Sequence, residues 1–140
     1  MDYDARYLGG VRFFNEEDFF EAHEVWEDLW LNTAGPERRF YQGLIQAAVA
    51  LYHFGNGNLR GAVKLYNSSL GYLDQFRPEY QGLDLEAFRT QMERCFAEAL
   101  ASPGTQVSLE DELIPRIALD PEPVSWPEPT DFVSDDSKEH

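Results

Sequence analysis

The sequence contains very little cysteine and no long hydrophobic run. Its single cysteine, Cys95, cannot form a disulfide within the chain, which favours a reducing compartment, the cytoplasm. The longest apolar stretch, residues 43–54, is interrupted by Gln46 and His53 and is too short to cross a bilayer. The N-terminal residues lack the basic and apolar regions of a secretory signal. We therefore expect a soluble cytoplasmic protein.

Basic residues are also scarce. The chain has 11 lysines and arginines against 26 aspartates and glutamates, a formal net charge of −15. A surface this negative repels phosphate backbones and anionic lipid headgroups, so we expect neither nucleic acid nor a membrane as a partner. Because only two of the basic residues are lysines, the composition resembles that of halophilic proteins from salt-rich cytoplasm. The alternative is an ordinary acidic protein of a mesophile.

Helical periodicity dominates the rest of the sequence. Apolar side chains recur every three or four residues, and turn or capping signals separate the periodic segments. Asn15, Asn58 and Asp84 are the predicted N-caps. No segment shows sustained strand alternation, so the predicted class is all-α, a compact bundle of about four helices. These predicted helices cover residues 16–31, 36–54, 59–77 and 85–101.

The C-terminal part of the chain has a different composition. Five prolines between Pro115 and Pro129 exclude a long helix or a central strand there. We expect a helical domain over residues 1–119 and an extended, acidic, proline-rich arm over residues 120–140. Trp126 is the side chain predicted to hold this arm to the helices.

The predicted helix over residues 36–54 is apolar around most of its circumference, which is typical of a helix buried at the centre of a domain. Buried polar groups need hydrogen-bond partners and cost about 1–3 kcal/mol each without them. The polar residues of this helix therefore predict a polar partner on a neighbouring helix. They fall within a band of about 60° on a helical wheel and are Arg39, Gln42, Gln46 and His53.

The preceding helix offers that partner. His23 and Glu27 are four residues apart and share one helical face beside Trp30, whereas Glu24 lies further towards solvent. A short loop would place the two helices antiparallel, with Arg39 binding an anionic ligand or pairing with a carboxylate. We therefore predict a buried polar site for a divalent metal ion or a small ligand. Its candidate residues are His23, Glu24, Glu27, Trp30, Arg39, Gln42, Gln46 and His53.

Residues 13–76 resemble a known family. The resemblance rests on the segments FNEEDFFEAHEVWEDLW and RRFYQGLIQAAVALYHFGNGNLRGAVKLY, and on a His-x3-Glu-x2-Trp motif at His23, Glu27 and Trp30. The family is the domain of unknown function 309, a small helical family of bacteria and archaea. It has no established activity, and metal binding through the motif His and Glu is what the resemblance implies.

Two interpretations of His23 and Glu27 follow from the residues. A His and a Glu at i and i+4 can ligate one metal ion from one helix face, but two ligands are too few, and His53 or Glu24 would have to complete the site. Alternatively, the pair fixes helix packing through a salt bridge. The domain would then be a non-catalytic structural or protein-interaction module, such as a homodimer. Neither interpretation assigns a reaction.

The charge balance generates a prediction about salt. We expect the melting temperature to rise steeply between low and molar KCl, because a Debye length of about 3 Å at molar salt weakens the repulsion between surface carboxylates. Thermal unfolding followed by circular dichroism measures this, with sucrose as a control for effects other than screening. An unchanged melting temperature between the two salt concentrations would rule out adaptation to salt.

Overall fold

In a computed structural model, residues 2–132 are described and form a bundle of five α-helices with one very short hairpin. The predicted all-α class is confirmed. The hairpin strands, β1 (Glu79–Tyr80) and β2 (Leu83–Asp84), pair antiparallel. The helices are α1 (Ala5–Asn15), α2 (Phe19–Leu31), α3 (Glu37–Gly55), α4 (Leu59–Leu73) and α5 (Leu85–Ala101).

Helix α3 lies at the centre of the bundle, as predicted, between α2 and α4. Gly43 brings α4 close, because a Cβ atom there would lie 2.7 Å from the Leu73 side chain. None of the helices within residues 2–132 is both long and apolar enough to cross a membrane. The α3 side chains that solvent does not reach at all are Phe40, Leu44, Ala47, Ala48, Ala50 and Leu51.

The predicted N-caps of α4 and α5 are confirmed. Asn58 caps α4, since its Oδ1 accepts from the Gly61 backbone N–H at 3.1 Å, and Asp84 caps α5 in the same way at 3.0 Å from Ala87. The predicted apolar stripe of α5 is buried. It includes Cys95, where burial raises the thiol pKa to about 12, so this cysteine is a core residue.

The N-terminal region differs from the prediction. The sequence predicted one helix starting after Asn15, but α1 ends at that residue and α2 starts at Phe19. Glu17, with φ at +64°, breaks the helical path between them. Two consecutive glycines, Gly9 and Gly10, lower the intrinsic helix propensity of α1. Tertiary packing stabilises α1 instead, since seven of its residues are buried.

Asn15 is therefore not an N-cap. Its side chain pairs with the backbone of Ile117, donating from Nδ2 to the carbonyl oxygen and accepting from the N–H at Oδ1, both at 2.8 Å. Arg116 adds a bond from Nη1 to the Asn15 carbonyl oxygen at 2.9 Å. These bonds anchor the C-terminal segment to the end of α1.

The C-terminal segment is extended, as predicted, up to residue 128, and a short 3-10 helix follows at Pro129–Phe132. The remainder of the predicted arm lies outside the described residues. Trp126 is 36% exposed, and its role in holding the segment stays a prediction. Arg12 holds the segment by donating from Nη1 to the Pro127 carbonyl oxygen at 2.8 Å, and the Phe132 ring lies directly against Gly9. The division of the chain at residues 119 and 120 stays a prediction.

Candidate functional site

The rotation of α2 about its own axis is set by Trp26. This side chain is fully buried, and its indole Nε1 donates to the Tyr7 carbonyl oxygen at 3.1 Å. The indole lies against Gly10 so closely that a Cβ atom there would overlap it. The contact joins α1 to α2 and leaves α2 only one orientation.

That orientation puts the motif residues along one flank of α2. On a helical wheel with 100° per residue, the angle from Trp26 is about 40° for Trp30, 60° for His23 and 100° for Glu27, all in the same direction. Exposure increases in that direction: the side chain of His23 is 20% exposed and that of Glu27 is 50% exposed. The pair therefore lies at the surface, and the prediction that it is buried is wrong.

The ring of His23 is held in a defined orientation. Its Nδ1 lies 2.9 Å from the Phe20 carbonyl oxygen. Because a carbonyl oxygen can only accept, this bond requires the proton on Nδ1. In the neutral ring the lone pair is then on Nε2, which faces the Glu27 Oε2 atom at 3.7 Å.

The Trp30 ring is covered by the guanidinium group of Arg38, which was not among the predicted site residues. The Arg38 guanidinium carbon lies 3.9 Å from the centre of the Trp30 ring, which is a cation–π contact. Its Nε also donates to the Trp30 carbonyl oxygen at 3.2 Å. Arg38 thus connects α3 to the flank of α2 that carries the motif.

The Arg39 side chain points away from α2, towards the end of α4. It is exposed and donates from Nη1 to Gln75 Oε1 at 3.4 Å, just beyond α4. Successive side chains on a helix are about 100° apart, so Arg38 on the α2 side leaves Arg39 on the α4 side. The predicted pairing of Arg39 with Glu27 or Glu24 is absent from the described residues.

The rest of the polar band also stays apart from the motif. Within residues 2–132, no hydrogen bond or ion pair joins His23 or Glu27 to Gln42, Gln46 or His53. Gln46 Oε1 is buried without a hydrogen-bond partner there. His53 Nδ1 lies 3.4 Å from Asn58 Nδ2, at the turn before α4.

The register of the helices explains this separation. The Phe20 and Tyr52 rings are 5.5 Å apart, so the edge of α3 that faces α2 carries Arg38 and Tyr52. The polar band lies about 60–120° further round α3, on the side of α4. The predicted convergence of the band with His23 and Glu27 is therefore wrong.

Glu24 also lies apart from His23. It is exposed and lines a surface cavity with Phe13 and Phe132, on the side of α2 that faces α1. Among the residues that the structure describes, no three or more His, Cys, Asp or Glu side chains lie close enough together to hold a metal ion. Neither Glu24 nor His53 completes a ligand set within one chain.

Comparison with known proteins identifies the segment that carries the motif. Residues 7–65, from α1 into α4, match the model of a family described as "Domain of unknown function (DUF309)". From this match, residues 7–65 are called the DUF309 domain below. The predicted resemblance is confirmed, and the family description assigns no activity to His23, Glu27 or Trp30.

Two curated relatives of the DUF309 domain are likewise uncharacterised. The uncharacterized protein YpuF of Bacillus subtilis (strain 168) is 36% identical over 77 residues, which is 54% of this chain and 44% of that protein. An uncharacterized protein of Aquifex aeolicus (strain VF5) is 31% identical over 81 residues, 57% of this chain and 24% of that protein. The chain thus spans less than half the length of these relatives.

The structure assembles a second polar group that sequence reasoning missed. Gln81, in the turn between β1 and β2, donates from Nε2 to Glu37 Oε2 at 2.5 Å and to the Tyr41 hydroxyl oxygen at 2.9 Å. Tyr80 adds a hydroxyl bond to Glu37 Oε2 at 3.5 Å. The hairpin begins 42 residues after the start of α3, and no sequence pattern indicated that the two elements meet.

The two adjacent arginines of the DUF309 domain provide a test of this geometry. Arg38→Ala should lower the free energy of unfolding by about 1–2 kcal/mol, because it removes the cation–π contact and the bond to the Trp30 carbonyl oxygen. Arg39→Ala should change it by less than about 0.5 kcal/mol, as expected for an exposed side chain. Urea unfolding of both variants measures the difference, and equal effects would contradict the assigned rotation of α3.

Proposed function

We propose that the DUF309 domain binds one divalent metal ion of the zinc class between His23 Nε2 and Glu27 Oε2. The observation that carries the proposal is the bond from His23 Nδ1 to the Phe20 carbonyl oxygen at 2.9 Å. Metal-binding histidines typically donate their second ring N–H in this way, which fixes the tautomer and the ring. The Nε2 lone pair then faces a carboxylate.

The distance between the two atoms supports the same conclusion. Nε2 and Oε2 are 3.7 Å apart, beyond a good hydrogen bond. Zinc bonds to nitrogen and oxygen are about 2.0–2.2 Å long, so one ion can contact both atoms. An imidazole and a carboxylate are suitable donors for zinc and its neighbours in the transition series.

The surroundings favour binding over catalysis. Two protein ligands at a half-exposed position leave two of the four coordination positions of zinc to water. In the described residues, Arg39 bonds to Gln75 and His53 to Asn58 rather than to this pair, which favours neither an anion clamp nor a general base there. The supported function is therefore metal-ion binding by a non-catalytic module.

Titration of untagged protein with zinc chloride tests the proposal. In isothermal calorimetry with excess Mg²⁺ to occupy the general acidic surface, we expect one saturable site. His23→Ala should weaken it by more than the about 10–100-fold that loss of an outer-shell partner costs, because a direct ligand is lost. Glu27→Gln should act in the same direction.

Two variants serve as matched controls. Glu24→Gln removes a carboxylate three residues away on another side of α2, and His53→Ala removes an imidazole at the turn before α4. Both should bind zinc as the wild type does. Absence of a saturable site, or equal weakening by Glu24→Gln and Glu27→Gln, would contradict the proposal.

Self-association is a second candidate function, and one specific observation favours it. Phe20 and Tyr52 are 45% and 40% exposed, and the Phe20 ring also lies 5.2 Å from the His23 ring. A second copy meeting this aromatic pair about a two-fold axis would add its own His and Glu and complete four ligands. Light scattering during the zinc titration distinguishes metal binding by one chain from metal binding by a dimer, since only self-association doubles the molecular mass of the protein.

We further propose a salt-rich cytoplasm as the setting. The formal charge of −15 and the presence of only two lysines support high salt, and the single cysteine supports a reducing compartment. Neither nucleic acid nor an anionic membrane matches this charge.

A further inference from the structure

A second cavity lies where the N-terminus, the α2–α3 loop and the β1–β2 turn meet, and neither His23 nor Glu27 lines it. Its volume is about 370 Å³, which is within the usual range for small-molecule sites. Polar side chains from all three segments line it, among them Tyr3, Thr33, Glu37, Tyr41 and Gln81.

The wall of this cavity contains a buried hydroxyl with an unused donor. Tyr41 is 3% exposed, and its oxygen accepts from Gln81 Nε2 at 2.9 Å. Its hydroxyl hydrogen has no acceptor within residues 2–132. Burial raises the Tyr41 pKa to about 12, so the phenol keeps that hydrogen at physiological pH. An entering molecule with a neutral oxygen would satisfy it.

Two acceptors complement this donor. Gln81 Nε2 must be the atom that faces Glu37, because the reversed amide would place two acceptor oxygens together. Gln81 Oε1 then makes no hydrogen bond within the described residues, and Glu37 uses only Oε2. The cavity therefore offers acceptors beside one hydroxyl donor that is without an acceptor in the described residues, since the Tyr3 and Thr33 hydroxyls already donate to backbone carbonyl oxygens.

The charge of the lining has one dominant sign. Asp2, Asp4 and Glu37 contribute three carboxylates. The one basic side chain in the lining, Arg6, already pairs with Asp28 at 3.2 Å and with Asp4 at 3.6 Å. Tyr3 and Tyr41 also line the cavity, and aromatic side chains attract organic cations.

We propose that this cavity binds a small primary amine that also carries a neutral oxygen, with its ammonium group at Glu37 and its oxygen at the Tyr41 hydroxyl. Nothing in this proposal depends on the metal site. The carboxylate recognises the charge, the hydroxyl selects the oxygen, and the tyrosine rings cover the connecting carbons.

A titration with 5-amino-1-pentanol, followed by ¹H–¹⁵N NMR, tests the proposal at physiological salt. We expect saturable shifts at the Gln81 side-chain amide and the Thr33 backbone amide. Pentylamine, which lacks the oxygen, and 1,5-pentanediol, which lacks the charge, should bind more weakly. Glu37→Gln should weaken binding of the amino alcohol at least about tenfold, because a charge-assisted bond is lost.

Two further variants separate specific recognition from general effects. Tyr41→Phe removes only the hydroxyl, so the amino alcohol should lose its advantage over pentylamine while both still bind. Glu98→Gln removes one exposed carboxylate on α5 and should leave binding unchanged. Equal weakening by Glu98→Gln and Glu37→Gln, or no saturable shift at Gln81, would overturn the proposal.

Discussion

The contact between Trp26 and Gly10 is the constraint on which the other features of this fold depend. It buries the Trp26 indole of α2 against the backbone of Gly10 in α1 and adds the indole bond to the Tyr7 carbonyl oxygen. With α2 fixed in this orientation, the side of the helix that carries His23, Glu27 and Trp30 faces α3 and solvent. Once α1 is fixed, Tyr7 reaches the β1–β2 turn through its hydroxyl bond to the Gln81 carbonyl oxygen at 3.1 Å.

Elements whose signals are local were predictable from the sequence. The caps Asn58 and Asp84 and the apolar stripes that follow them act within one or two helical turns, and α3, α4 and α5 formed close to where they were predicted. Helix α1 was not predictable in this way, because Gly9 and Gly10 are poor helix formers that are required only by the tertiary neighbours Phe132 and Trp26.

The arrangement of the candidate residues on one helix could be predicted from the sequence, but the contacts between two helices could not. The spacing of His23 and Glu27 is enough to place them on one flank of α2, as the structure shows. A helical wheel also relates Arg39, Gln42 and Gln46 to each other, but it does not indicate which edge of α3 faces α2. That choice depends on α4, which packs against Gly43 and turns the polar band away from the motif.

The tautomer of His23 tests the central claim most directly, because the proposed ligand atom exists only if the ring proton is on Nδ1. Long-range ¹H–¹⁵N NMR of the metal-free protein, at a pH where the imidazole is neutral, distinguishes the two ring nitrogens. The bond to the Phe20 carbonyl oxygen predicts a protonated Nδ1 and a bare Nε2 facing Glu27. A neutral ring protonated on Nε2 would contradict the account, since that nitrogen could then only donate to the carboxylate.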